Sequence, residues 1–111
     1  MIIPFHTGTE TASGNSPTFA TGNMGTVALF VNVTARSGTL PTLTVGIQHS
    51  PDGNVWYDFP NLTTTAINSV TSMSVMLPVS APLSDYVRCV WTIGGITPSF
   101  TFTADLATYS L

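Results

Sequence analysis

The strongest constraint on the fold is a two-residue alternation of apolar and polar side chains that recurs along most of the chain. Side chains of a β-strand point alternately to its two faces, so each such segment predicts a strand with one buried face. The apolar sets are Val27, Leu29, Val31 and Val33; Leu43, Val45, Ile47 and His49; Met73, Val75 and Leu77; Val87, Cys89, Trp91 and Ile93; and Phe100, Phe102, Ala104 and Leu106. No segment has the 3.6-residue period of an amphipathic helix, so the pattern predicts an all-β protein.

Glycine and proline clusters divide these segments and predict where the strands end, because both residues interrupt regular strand pairing. The predicted ends lie at Gly38 and Pro41, at Pro60, at a loop between Pro78 and Pro82, and at a Gly94–Pro98 turn. The segment Leu62–Asn68 is ambiguous.

One turn has a stronger signal than the others. Ser50-Pro51-Asp52-Gly53-Asn54 has proline at the second turn position, followed by aspartate and then glycine. This order predicts a type I turn that ends on a left-handed glycine. The segment Val55–Phe59 is then the returning strand of a hairpin.

The number of predicted strands indicates the architecture. About six to eight short strands, with turn signals roughly every ten residues, predict a single antiparallel β-sandwich. Jelly-roll and immunoglobulin-like topologies both fit. A chain of 111 residues is one domain and can bury about two-thirds of its surface without a metal or a disulfide. We divide it into an extended N-terminal arm, residues 1–23, and a sandwich domain, residues 24–111.

The arm is rich in glycine, threonine and serine, and we predict at most one short strand in it, near Pro17–Ala20. It begins with an apolar tip, Ile2, Ile3 and Phe5, followed by His6. An exposed apolar tip is a liability unless it is docked. The residues are therefore a candidate partner interface. The alternative is a first strand that completes the chain's own sandwich.

The chain carries very little charge. Charged residues make up 6% of the sequence, there are two Arg and no Lys, and the net charge is −3. Two cations neutralise few phosphates, and an acidic chain is not attracted to anionic lipids, so we expect neither nucleic-acid nor membrane binding. Thr, Ser, Asn and Gly must cover the exterior. Either much of that exterior packs on partner subunits, or it is a plain threonine-rich β surface.

Targeting and cysteine signals are sparse. No apolar run reaches the length of about 18 residues that a spanning helix needs, and the first residues lack the basic and long apolar regions of a signal peptide. The single cysteine, Cys89, excludes an internal disulfide. That fits a reducing cell interior, or a particle assembled there.

No group of residues has the spacing of a catalytic or metal site. The two histidines, His6 and His49, have no further ligands at metal-site spacing, and Asp52 is better explained as a turn cap. The acidic residues do not converge, and no nucleophile motif is present. We therefore predict no enzyme, no metal and no cofactor. Trp91 alternates with core positions and is assigned to the core, whereas Trp56 fits either the core or a sugar-stacking platform.

Two segments carry a resemblance to known proteins. Leu43–Phe59, LTVGIQHSPDGNVWYDF, and Tyr86–Leu106, YVRCVWTIGGITPSFTFTADL, resemble small structural proteins of tailed bacteriophages. The matching residues are Gln48, Ser50, Asp52, Gly53 and Trp56, then Tyr86, Arg88, Trp91, Ser99, Phe100 and Phe102. The resemblance implies a β-sandwich in the virion, often on the capsid surface and assembled in the host cytoplasm.

The resemblance implies a capsid decoration (cement) protein that contacts the major capsid protein in many copies or as a homo-oligomer. A tail or head–tail component is an alternative. The first segment is also similar to discoidin-type carbohydrate-binding jelly rolls, which have a Ser-x-Asp-Gly-x-x-Trp hairpin and a late Tyr-x-Arg strand. That similarity implies a glycan as a further candidate partner.

Overall fold

The computed structural model describes residues 2–20, 26–76 and 85–109, and within these ranges the protein is all-β with no helix. The predicted loop from Pro78 to Pro82 and the predicted core position Leu77 lie outside the described residues. The strands are β1 (Ile2–Glu10), β2 (Gly14–Asn15), β3 (Phe19–Ala20), β4 (Thr26–Ser50), β5 (Tyr57–Thr63), β6 (Thr71–Met76) and β7 (Tyr86–Tyr109). They form one antiparallel sheet of seven strands.

Two long strands form the centre of the sheet. β4 and β7 pair antiparallel along their whole lengths, from Thr26 opposite Tyr109 to Ser50 opposite Tyr86. The edge of β7 that faces away from β4 pairs with β1, β2 and β3 in turn. The edge of β4 that faces away from β7 pairs with β5 and β6. The sheet is therefore a central two-stranded ribbon with shorter strands along both edges.

The ribbon bends at its middle, where the sequence predicts strand ends. Gly38, Leu40, Gly95 and Thr97 have positive φ angles of 110°, 49°, 113° and 46°. The pairing register between β4 and β7 shifts repeatedly through this segment. The predicted strand end at Gly38 and Pro41 and the predicted turn at Gly94–Pro98 are wrong. Instead, these glycines lie at bulges in the two paired strands, and the bulges bend both strands together. Glycine is favoured at bulges as well as at turns.

The bend folds the sheet into two layers around one core, as in a β-sandwich. The Phe5 ring in one half lies 5.4 Å from the Phe19 ring in the other, and the Trp91 ring lies 5.8 Å from that of Phe102. The predicted inward sets of β4 and β7 are confirmed as buried, apart from the partly exposed His49 and Ile93. The fully buried members with the largest side chains are Phe100, Phe102, Leu29, Leu43, Ile47 and Leu106.

The described part of the predicted arm belongs to this sheet. β1 runs along β7 from Ile2 opposite Ala107 to Glu10 opposite Phe100. Further along, the Ser16 N–H donates to the Cys89 carbonyl, and the Cys89 N–H donates to the Ser16 hydroxyl. The alternative of a first strand that completes its own sandwich therefore describes the observed structure, and the arm contains three strands where one was predicted.

β5 extends beyond its predicted end. The strand continues through position 60 to Thr63, so the prediction that Pro60 ends it is wrong. Among the described strands β5 pairs only with β4, and an edge strand tolerates proline because one row of its N–H groups has no partner strand. The ambiguous segment that follows buries Leu62 and Ile67, and Ile67 exchanges two backbone hydrogen bonds with Leu43.

Candidate functional site

The predicted hairpin turn is present and is held by its own polar side chains. Ser50 is fully buried, and its hydroxyl accepts hydrogen bonds from the N–H groups of Asp52 and Gly53 at 3.2 and 2.8 Å. The Asp52 Oδ1 atom accepts from the Ser50 hydroxyl and from the N–H groups of Asn54 and Val55. Gly53 has a φ of 79°, as the turn type requires. This network fixes the hairpin.

The turn makes stability depend on pH. Hydrogen bonds from the Asn54 and Val55 N–H groups, and then from Ser50, lower the pKa of Asp52 below its ordinary 3.8. A lowered pKa in the folded state contributes stability above the unfolded-state value, and this is lost as pH falls through the folded value. We expect the Tm of wild type to fall between about pH 5 and about pH 2 more steeply than that of Asp52→Asn. Parallel thermal melts check this, and identical slopes would contradict it.

Next to the turn, a row of polar side chains crosses three strands on the outer face of the sheet. The Arg88 Nε–H donates to Gln48 Oε1 at 2.9 Å, and the Gln48 amide donates to Asp58 Oδ1 at 3.0 Å. The Arg88 guanidinium carbon lies 4.4 Å from the centre of the Trp56 ring, a cation–π distance. We call Gln48, Trp56, Asp58 and Arg88 the polar platform. Gln48 is opposite both Arg88 and Asp58 in the strand register, which explains the contact.

A shallow groove of about 310 Å³ begins at the polar platform. Its walls include Thr44, Gly46, Asp58, Thr63, Val90 and Thr92. A Cβ atom at Gly46 would lie 2.8 Å from the Thr63 hydroxyl. Glycine at this position therefore leaves room for the side chain of Thr63, which is opposite it on β5. The groove combines threonine hydroxyls with small apolar surfaces, and its volume is at the lower end for small-ligand sites.

Several motif residues have structural roles. Trp91 is 6% exposed, and its indole N–H donates to the Ala12 carbonyl at 3.2 Å, so the core assignment of Trp91 agrees with the structure. Phe100 and Phe102 are completely buried. The Tyr86 ring lies over Gly53, where an added Cβ would be 3.7 Å from it. Trp91, Phe100 and Phe102 are therefore not available to a ligand.

The candidate interface at the N-terminus is divided between core and surface. Ile3 and Phe5 are each 4% exposed and belong to the common core, whereas Ile2 is 61% exposed. The partly buried His6 ring stacks on Phe102, with a centroid distance of 4.1 Å. Its Nδ1–H donates to the Phe102 carbonyl, and its Nε2 lies 3.2 Å from Glu10 Oε1. Ile3 and Phe5 therefore do not form an exposed tip, because β1 turns them inward.

Cys89 is chemically protected in the folded protein. Its side chain is fully buried, and burial raises the pKa of the thiol to about 12. The thiolate is the reactive form, so the native protein should resist alkylation. We expect iodoacetamide at about pH 8 to label Cys89 only after denaturation. Mass spectrometry of native and denatured samples checks this, and rapid labelling of the native protein would contradict it.

No cluster of metal ligands is found among residues 2–20, 26–76 and 85–109. In these ranges no three His, Cys, Asp or Glu side chains are close enough together to hold a metal ion. Nor does this part of the chain contain a helix long and apolar enough to cross a membrane. The surface features of the described residues include the polar platform with its groove and the bend of the ribbon.

No protein-family model matches the sequence, and no curated protein matches it significantly.

Proposed function

We propose that this chain is a non-enzymatic bacteriophage virion protein, a decoration protein that binds the major capsid protein on the capsid surface. The observation that carries the proposal is the near-absence of charge on an exterior of short polar side chains. On the outer face of β1, β4, β6 and β7 these side chains bond to one another. Thr9 and Thr101 are joined at 2.7 Å, and the Ser72 hydroxyl donates to Asn32 at 2.8 Å.

A surface of this kind is suited to burial against a partner. Removing an unpaired ion from water costs several kcal/mol, whereas a hydroxyl that already has a partner costs much less. Phe30, at 40% exposure, adds an apolar side chain to the same face, which also carries the Asp105 carboxylate opposite it on β7. Contacts of about 1,000–2,000 Å² per copy are the size of specific interfaces, and repetition over a lattice multiplies them. Self-association into a symmetric oligomer accompanies this proposal.

Copy number tests the proposal. The purified chain is mixed with empty capsids assembled from the major capsid protein of the phage whose genome encodes it, and bound copies are counted by quantitative mass spectrometry. A number close to that of the capsid subunits supports decoration. A handful of copies supports a tail or head–tail role. Absence of binding would contradict the proposal.

Glycan binding is a second candidate, because of the polar platform. Trp56 is partly exposed, Arg88 holds its ring in place, and the amide, carboxylate and hydroxyl groups of sugar recognition lie beside it. Aromatic rings stack on the apolar faces of sugars. A glycan array followed by NMR titration tests this candidate. Binding that is lost in Trp56→Ala but kept in Val55→Ala would support it, and an array without any binder would eliminate it.

A further inference from the structure

The bend of the ribbon carries the most exposed large apolar side chains in the described part of the protein. Leu40 is 84% exposed and Ile96 is 67% exposed. They lie on the two strands of the same bend, since Thr39 is opposite Ile96 and the Leu40 carbonyl faces Gly95. Single exposed apolar residues are common, but two of them at one bend suggest a contact site.

Leu40 also has an unfavourable backbone conformation. Its φ of 49° lies in the left-handed region, which disfavours residues with a Cβ other than Asn and Asp. Thr97, next to Ile96, is in the same region with a φ of 46°. Strained residues persist where the surrounding structure imposes them, and they cluster at functional sites. An exposed leucine at such a position is not explained by packing within the chain or by backbone preference.

An exposed cation lies beside Leu40. Arg36 and Leu40 line the same depression of about 360 Å³, together with Asn68 and Ser69. Arg36 is exposed and forms no hydrogen bond or ion pair with any residue that the structure describes. The other arginine of the chain, Arg88, is engaged by Gln48 and Trp56. The guanidinium of Arg36 is therefore available to a partner.

We infer that this bend, formed by Arg36, Leu40, Asn68, Ser69 and Ile96, is the site where the chain docks on a protein partner that presents a carboxylate beside an apolar pocket. We call these five residues the bend surface. Charge complementarity argues for the carboxylate, because a guanidinium binds it through two parallel N–H···O bonds. A polyphosphate is disfavoured, since the chain has a net charge of −3 and this surface has one cation. The inference rests on the proposed function, and the capsid subunit is the partner.

Two substitutions separate the apolar and charged parts of the bend surface. Leu40→Asn removes the apolar side chain and replaces it with a residue that tolerates the left-handed region, so the fold should be retained. Arg36→Gln removes the charge. Val55→Asn, which changes an exposed apolar residue near the hairpin turn, is the matched control. Thermal melts of all variants establish that each is folded.

Capsid co-sedimentation then tests the inference. We expect Leu40→Asn and Arg36→Gln each to weaken capsid binding at least tenfold, while Val55→Asn binds like wild type. Raising the salt concentration should weaken wild type more than Arg36→Gln, because only wild type has the ion pair. If wild type binds capsids and both variants bind equally well, the inference is overturned but the proposed function stands.

Two further outcomes are distinguishable. If wild type does not bind capsids, the proposed function and the inference both fail. Sedimentation velocity of each variant measures self-association independently of capsids. If the two substitutions abolish self-association and leave capsid binding unchanged, the bend surface joins copies of this chain, and the inference of a capsid contact is overturned.

Discussion

A chain that lacks residues 1–16 is expected not to fold. The deletion removes β1 and β2, and with them the backbone pairing along one side of β7. It also removes Ile3 and Phe5 from the core and leaves one side of Phe102 exposed. Loss of two large core side chains alone costs several kcal/mol, which is comparable with the total stability of a domain of this size.

Circular dichroism and thermal melting of the truncated chain measure this directly. A graded pair of substitutions supports the interpretation. Phe5→Ala should lower the free energy of unfolding by about 3–5 kcal/mol, whereas Ile2→Ala should have little effect because Ile2 is mostly exposed. A truncated chain that melts like wild type would contradict the internal role of β1, and would favour an arm that is free to reach a partner.

Trp91→Ala is expected to destabilise the protein by about 3–5 kcal/mol. Trp91 joins the two layers, because its ring contacts Phe102 and His6 while its N–H donates to the Ala12 carbonyl. The mutation leaves a cavity and also orphans one backbone acceptor. Urea denaturation, with the midpoint and slope compared between variants, measures the loss.

Trp91→Phe is a milder change at the same position. It keeps an aromatic ring in the core but removes the N–H donor, so the loss should be clearly smaller than for alanine. A further prediction concerns Gly14, where an added Cβ would lie 3.2 Å from the Trp91 ring. An alanine at position 14 should be tolerated better in Trp91→Phe than in wild type. Wild-type stability of Trp91→Ala would show that the ring is not part of the core.

The burial pattern could be predicted from the sequence because alternation is a local property. The inward positions of β4 and β7 follow directly from the period, and the Ser50–Asn54 turn follows from its residue order. Strand ends could not be predicted in the same way. Glycine at positions 38 and 95 permits positive φ, and a bulge within a paired strand needs this as much as a chain reversal does. Only the long pairing of β4 with β7 shows that these glycines lie in bulges and not in chain reversals.

The candidate sites were predictable to a different extent. Alternation places Gln48 and Arg88 on the outer face, but their contacts with Asp58 and Trp56 depend on the register of three strands. The bend surface was not predicted, because Leu40 lies between the predicted strand ends at Gly38 and Pro41, and Ile96 lies in the predicted Gly94–Pro98 turn. The arm was misjudged since its apolar residues are few, although Ile3 and Phe5 do have the spacing of one strand face.

The position of β7 between β1 and β4 has a consequence for synthesis. β7 is the last of the seven strands in chain order, yet β1 and β4 both pair with it, with partners as distant as Ile2 and Ala107. During translation the earlier strands therefore leave the ribosome before their main partner exists. Pairing over such sequence distances closes large loops, so folding should be slow and should follow release of residues 86–109. Until then, the apolar faces and the unpaired edges of the earlier strands are exposed, and aggregation competes with folding.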